Sequence, residues 1–439
     1  MMRKLLLLFI ITACFIPAAI GQTFNNVKLD SLFDVLAAHN QAMLSISISQ
    51  NGKTIYNKSI GYSVLGADRK IPATAQTHYR IGSISKMFTA VMIFQLIDEG
   101  KLTLTTPLSA FFADLPNANK ITIANLLNHS SGLHNFTNDT SYQSMMVRKT
   151  PHAELLTRFR NTRPDFEPGS KHEYSNTNFV LLGYIVEKLD KKDYAIALNE
   201  RILTKAGLKD TYYGNNINPE RREAYSYSWN GSWQITKETD MSIPGGAGGI
   251  ESTPADLNRF IEALFAGKLI SESDLNNMKT IKDGFGMAMF PFPFYTKVGY
   301  GHNGAIDGFL SVASYFPEDK LAISYTANGV NTDLNNVMIA VLSAVFNKPF
   351  AIPFYPGPEV LDKYTGIYGA PLVPVKITVA RNAAGLTAQA TGQSAFPLTA
   401  TSNNTFRFDA AGIEILFNDT NKQLTIVQAG RSTVFTKEN

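Results

Sequence analysis

The 439-residue sequence contains a single cysteine, Cys14, and it lies in a segment expected to be removed. A mature chain without cysteine excludes a disulfide framework, a thiolate nucleophile and a cysteine metal site. Charge is sparse as well. Charged residues make up 17% of the chain and the formal net charge is +4, of which Arg3 and Lys4 supply two. No basic stripe with interleaved aromatics and no acidic or basic tail occurs, so no nucleic-acid partner is expected. Several catalytic signatures are missing too. There is no Gly-x-Ser-x-Gly elbow and no His-Glu-x-x-His helix, which argues against an α/β-hydrolase and a zincin. Gly245-Gly246-Ala247-Gly248-Gly249 lacks a following Lys-Ser/Thr and is no phosphate loop; it reads as a tight segment near a cleft. The seven histidines show no ligand spacing, so neither metal nor cofactor is expected. No long internal repeat suggests a solenoid.

What is present is a globular composition. Hydrophobic residues reach 44%, enough for a large core that needs no disulfide. The length suits two domains. At the N-terminus, Arg3 and Lys4 precede an apolar run from Leu5 to Ile20, broken by Pro17, and small residues end at Gly21. This reads as a cleaved export signal over 1–21, too short to span a membrane, with the mature chain starting near Gln22 in the periplasm or outside the cell. Ile11-Thr12-Ala13 fits a lipoprotein box at Cys14 only loosely, and the apolar run continues past it, so cleavage rather than lipidation is expected.

Along the chain, Leu44 to Ile60 alternates on both sides of Asn51-Gly52, the signature of a hairpin. "HYRIGSISKMFTAVMIFQLIDEG" passes from a short strand into a helix with Met87, Phe88, Val91, Met92 and Gln95 on one face, extended by Leu96, and Gly100 as its stop. "ITIANLLNHSSGL" and "NTNFVLLGYIVEKLD" read as further helices, and about 120 to 285 as mostly helical with long polar loops. Three short strands follow within "VGYGHNGAIDGFLSVASYFPEDKLAISYTANG", with Pro317-Glu318-Asp319 as one turn, and "DLNNVMIAVLSAVF" is a helix. Strands at both ends with helices between predict an α+β fold: one antiparallel sheet flanked by helices, with an inserted helical lobe. A pocket is expected between the lobes. The domain would span 28–347, followed by a proline-rich linker over 348–359 and a small β-barrel over 360–439.

Three motifs carry chemistry. In Ser83-Ile84-Ser85-Lys86, positions three apart on a helix share a face, so Lys86 can approach the Ser83 hydroxyl near a helix start. A serine needs a base, and a lysine serves once burial or a neighbouring cation lowers its pKa. Tyr174-Ser175-Asn176 offers a phenol to relay protons and a carboxamide that both donates and accepts. Tyr213-Gly214-Asn215 repeats the spacing but reads as a turn. His302-Asn303-Gly304 lies on a late strand, where the glycine would let substrate approach the backbone. The N–H of Ala305 could pair with that of Ser83 as an oxyanion hole. His129 and Ser131 in "NHSSGL" read as structural, polar groups at a helix end.

In this order the motifs resemble the serine β-lactamase and penicillin-binding superfamily, in particular its class C β-lactamase and D-Ala-D-Ala carboxypeptidase-like branch. The resemblance covers about 30 to 347 and includes "PGSKHEYSNTNFVLLGYIVEKL", "GGAGGIESTPADLNRFIEALFAGKLIS" and "GYGHNGAIDGFLSVASYFPE". It implies Ser83 as nucleophile, Lys86 and Tyr174 as the acid/base pair, and Asn176, His302, Asn303 and Gly304 as substrate contacts. The tail opening "LDKYTGIYG" resembles the lipocalin-like domains appended to many such hydrolases. One departure matters: where class C β-lactamases carry Lys-Thr-Gly, this chain has His302-Asn303-Gly304, which should hold a substrate carboxylate less firmly. The expected function is therefore a serine hydrolase acting on a small-molecule, peptide or ester substrate. Carboxypeptidase, D-amino-acid peptidase and esterase activities are open to it, and β-lactamase activity should be weak. The alternative is a non-catalytic binding or sensor protein on the same fold.

Overall fold

A computed structural model describes residues 26–371, 373–382 and 385–438. The expected export signal, and Cys14 within it, lie outside the described residues. Among the described residues no helix is long and apolar enough to cross a membrane.

The central antiparallel sheet joins the two ends of the first domain, as the strand pattern predicts. Its main path runs Phe290–Phe294, Lys297–Ile306, Phe309–Phe316, Leu321–Val330, Ala42–Gln50, Lys53–Ile60. The early hairpin turns at Asn51 and Gly52, whose φ values of 53° and 74° are those a tight two-residue turn demands. Alternation in "LSISISQ" would ordinarily mean one wet face. Here both faces are covered. Leu44, Ile46 and Ile48 pack with the helices Asn26–Ala38 and Leu334–Val345. Ser45, Ser47 and Ser49 are also buried, against the helical side. Asn258 on the helix Pro254–Phe265 donates to the Ser47 carbonyl at 3.0 Å, and Ser49 donates to Glu262 at 2.7 Å. Small serines let that helix sit close to the sheet.

Phe290–Phe294, "FPFPF", is a strand that the sequence reading passed over. Pro291 and Pro293 cannot donate to a ladder, and the strand sits at the sheet's edge, where one side needs no donors. The middle of the chain also holds short strands that the mostly helical reading omitted, among them Tyr212–Tyr213 and Ile250–Ser252. Tyr213 thus belongs to a strand rather than a turn. The helix Ser85–Asp98 differs from the amphipathic expectation: every residue from Ser85 to Leu96 is buried. A helix covered on all sides is a core helix. Phe88 stacks on Phe260 with ring centroids 3.7 Å apart.

Beyond the prolines, the helix Pro358–Tyr364 leads into a closed barrel of eight strands between Gly366 and Lys437. The first and last strands close it, pairing Tyr368 with Lys437. Six of the eight fall on alternating segments, "VKITVA", "GLTAQA", "TFRFDA", "IEILFN", "QLTIVQA" and "STVFTK"; Gly366–Ala370 and Phe396–Ala400 complete the barrel.

Arg80, on the short strand before Ser83, is 1% exposed. Its guanidinium donates to the Thr239 carbonyl at 2.8 Å, the Asn215 carbonyl at 2.8 Å, Asp307 at 3.0 Å and Glu238 at 2.6 Å. A third carboxylate, Glu251, stands 3.7 Å from its Nε, beyond hydrogen-bond reach. Burial and the Glu223 charge push the Glu251 carboxyl up to about 8, and Arg80 offsets that only in part. Arg80→Met should therefore cost about 3–5 kcal/mol, the range for removing one partner of a buried charge cluster, read from the urea midpoint. The proton on Glu251 sets a further sign. Its folded pKa lies above the ordinary 4.5, so its contribution to stability is full in acid and is lost as pH rises toward 8.

Candidate active site

Ser83 reaches the cleft because the backbone around it is held from two sides. Tyr79 and Arg80 pair with Ser252 and Glu251, and Ile81 N–H donates to the Ile250 carbonyl at 3.0 Å. Gly82 then takes φ 50°, and Ser83 falls in the 3-10 turn Gly82–Ile84 that runs into the helix Ser85–Asp98. A Cβ on Gly82 would meet the Ala305 backbone at 2.9 Å, and one on Gly304 would meet the Ile81 carbonyl at 2.0 Å. The two glycines bring the strand Lys297–Ile306 against the serine turn. This corrects the expectation for Gly304: the space above it is filled by the protein's own Ile81 carbonyl, not left for substrate. The strand's other edge is paired with Phe290–Phe294 only as far as Gly301, so it is open from His302 onward.

Lys86 lies one turn beyond Ser83 and is wholly buried. Its Nζ is 2.9 Å from Ser83 Oγ, 2.8 Å from Asn176 Oδ1 and 2.8 Å from the Ala247 carbonyl. Burial holds its pKa well below that of an ordinary lysine. A neutral amine has two N–H donors and one lone pair. Once Lys86 is deprotonated, the Asn176 and Ala247 oxygens, as pure acceptors, take the two donors, which leaves the lone pair for the Ser83 hydroxyl. Ala247 was not singled out from the sequence. Its signal was the glycine run: a Cβ on Gly246 would meet the Phe179 carbonyl at 2.8 Å, so glycine lets this loop press onto the helix Asn176–Asp190 and aim a carbonyl at Lys86.

Tyr174 donates to Ser83 Oγ at 2.7 Å, and burial raises its pKa, keeping the phenol protonated. The chain ahead of it is tied down by residues 129–132. Glu173 N–H donates to the His129 carbonyl at 2.9 Å, Gly169 N–H to that of Ser130 at 2.8 Å, and Asp165 N–H to that of Gly132 at 2.9 Å. His129 and Ser131 are structural, as expected, but not as helix caps. His129 accepts from Ser175 N–H at 3.1 Å and stacks on the Tyr174 ring at 4.5 Å. Ser131 donates to Asn178 at 2.6 Å. Burial, then the Lys86 charge, hold the His129 imidazole neutral.

Asn176 also donates to Thr137 at 3.1 Å and lines the cleft with Ser83 and Ala305. His302 does not stand where a substrate contact would. It is 1% exposed, its ring tilted against Tyr174 at 6.3 Å and edge-on to Phe290 at 4.8 Å. Burial pushes its pKa down to about 3, with Lys86 adding to the effect, and its Nδ1 bonds to the Asn303 carbonyl. It is a neutral wedge behind the tyrosine. Asn303 points to the opposite strand face, is exposed, and is not among the residues lining the cleft. The cleft itself has a volume of about 480 Å³; Phe136, Tyr142, Met146 and Ile306 supply its apolar lining, and Lys237 and Asp307 its charged residues.

The Beta-lactamase family model matches residues 29–344. Penicillin-binding protein 4* of Bacillus subtilis is 25% identical over 377 residues, which covers 77% of this chain and 82% of that protein. The D-amino acid amidase of Ochrobactrum anthropi SV3, in complex with L-phenylalanine amide, superposes with a TM-score of 0.65 at 27% identity, over 72% of this chain and 98% of the amidase. The octameric penicillin-binding protein homologue of Pyrococcus abyssi has a TM-score of 0.71 at 23% identity; it covers 93% of this chain and 99% of its own, so the likeness in fold runs on into the barrel.

Proposed function

The chain belongs to the beta-lactamase family of serine hydrolases, and from that membership we propose that it acts through an acyl-Ser83 intermediate on D-amino-acid-containing peptides or esters. The observation that carries the reading is the wholly buried Lys86 amine, its pKa held well below the ordinary lysine value, 2.9 Å from Ser83 Oγ and hydrogen-bonded to the Asn176 and Ala247 oxygens. In the proposed step, the Ser83 proton passes to Lys86 as Oγ attacks the substrate carbonyl. The oxyanion forms against the N–H groups of Ser83 and Ala305. Tyr174 gives its proton to the leaving amine or alkoxide, and the Lys86 ammonium restores it. Water then repeats the sequence on the acyl group. The D-amino acid amidase likeness supports D-configured substrates. His302, standing where class C β-lactamases carry lysine, supports weak β-lactamase activity. With the expected signal removed, the enzyme would work outside the cytoplasm, and the barrel would supply no catalytic group.

The test is covalent labelling. A small neutral serine-reactive probe should add one mass increment to the peptide carrying Ser83, and D-configured peptides or short esters should protect against it. Absence of labelling in the folded protein would overturn the reading in favour of a binding or sensor protein.

A further inference from the structure

The cleft presents one exposed cation without a partner among the described residues. Its lining holds two charged side chains, Lys237 and Asp307. Asp307 is already satisfied: its side chain is 1% exposed, it accepts from Arg80 at 3.0 Å through one oxygen, and from the Thr239 N–H and hydroxyl at 3.1 and 2.5 Å through the other. Lys237 is exposed, and among the described residues it forms no ion pair or hydrogen bond.

The segment that bears Lys237 is built rather than loose. On one side, Thr236 N–H donates to the Ser226 carbonyl at 3.0 Å and its hydroxyl meets that of Ser226 at 2.5 Å. On the other, Arg80 holds the Thr239 carbonyl at 2.8 Å and the Glu238 carboxylate at 2.6 Å. Arg80 thereby hydrogen-bonds both carboxylates, Asp307 and Glu238, and pins the backbone on which Lys237 stands. A held backbone with a free ammonium head, beside a carboxylate already engaged by its own partners, is suited to an anion that arrives from solution.

We propose that Lys237 is the specificity-determining cation of this cleft, receiving a carboxylate of the substrate, so that D-amino-acid peptides bearing a free carboxylate are preferred over amino-acid amides bearing a free amine. This rests on the reading of Ser83 as the acylated group in the same cleft. It assigns to the segment 236–239 the carboxylate recognition that the buried His302 does not provide. The neighbouring apolar surface of Phe136, Tyr142 and Met146 receives the substrate's side chain.

The experiment compares an N-acylated D-dipeptide with a free C-terminal carboxylate and the same dipeptide as its C-terminal amide. The wild-type protein should favour the carboxylate form. Lys237→Met should lower the carboxylate-to-amide ratio of kcat/KM by about tenfold, mainly through KM, the size of one charge-assisted hydrogen bond. Lys237→Glu should invert the preference, and added salt should shrink it in the wild type. Labelling of Ser83 by a neutral probe reports that each variant is folded. The same ratio, measured as equilibrium binding to Ser83→Ala protein with and without Lys237→Met, decides the proposal even if turnover proves absent. Failed labelling of the wild type would sink the acyl-enzyme reading alone. A carboxylate-to-amide ratio that Lys237→Met and Lys237→Glu leave unmoved, in both turnover and binding, would overturn the role of Lys237.

Discussion

Ser83→Ala should abolish covalent labelling and turnover together. Its Oγ is the meeting point of Lys86 at 2.9 Å and Tyr174 at 2.7 Å. Loss of the oxygen removes the nucleophile while leaving the scaffold in place. Lys86 keeps its bonds to Asn176 and Ala247. Tyr174 loses its Ser83 acceptor, a cost of about 1–3 kcal/mol for an unpaired polar group, which a domain of this size should survive. Intact-mass analysis after probe treatment, with a parallel thermal melt, checks both halves. Labelling that persisted in the folded variant would move the acylated residue elsewhere and undo the mechanism.

Lys86→Met should lower kcat/KM by at least about a hundredfold, the low end for losing general acid–base help. Methionine keeps the apolar stem in its buried slot and removes only the amine. The pH profile gives the sharper reading. Because burial holds the Lys86 pKa below the ordinary 10.5, the amine is neutral and basic above its lowered pKa and is protonated below it. Wild-type activity should therefore fall on the acid side as Lys86 takes up a proton, and that limb should vanish in Lys86→Met. Tyr174→Phe should cost a similar factor but keep the acid limb. His302→Ala should be milder and substrate-dependent, because His302 acts only by holding Tyr174 from behind. If His302→Ala matched Lys86→Met for every substrate, His302 would have to carry a proton and the Ser-Lys-Tyr scheme would be wrong.

Much of the site was legible in the sequence for a local reason. Ser83 and Lys86 are three residues apart across a helix start, so the chain's own geometry brings them together before any tertiary contact forms. The early hairpin was legible through Asn51-Gly52, since few residues tolerate the positive φ that turn requires. The edge strand Phe290–Phe294 was not, because its two prolines contradict a strand unless one knows which strand is the edge. The helix Ser85–Asp98 was read as a helix but with the wrong surroundings, since a hydrophobic stripe reports a period and not how many neighbours cover the remaining faces.

By itself, then, the sequence determined the order of the three motifs, the α+β alternation with its closing strands, and the separate β-rich tail. Each is encoded in spacing, period or turn chemistry within a short window. Only the tertiary structure decided what those motifs do to one another. It brought the Ala247 carbonyl, 161 residues from Lys86, onto the amine that it helps orient. It turned His302 inward behind Tyr174 and Asn303 outward, filled the space over Gly304 with the Ile81 carbonyl, and left Lys237 as the free cation of the cleft. The physical reason is common to all four: which face of a strand or loop meets the site depends on register and on how closely two backbones approach. Both are set by contacts between segments far apart in the chain, here made possible by glycines 82, 246 and 304.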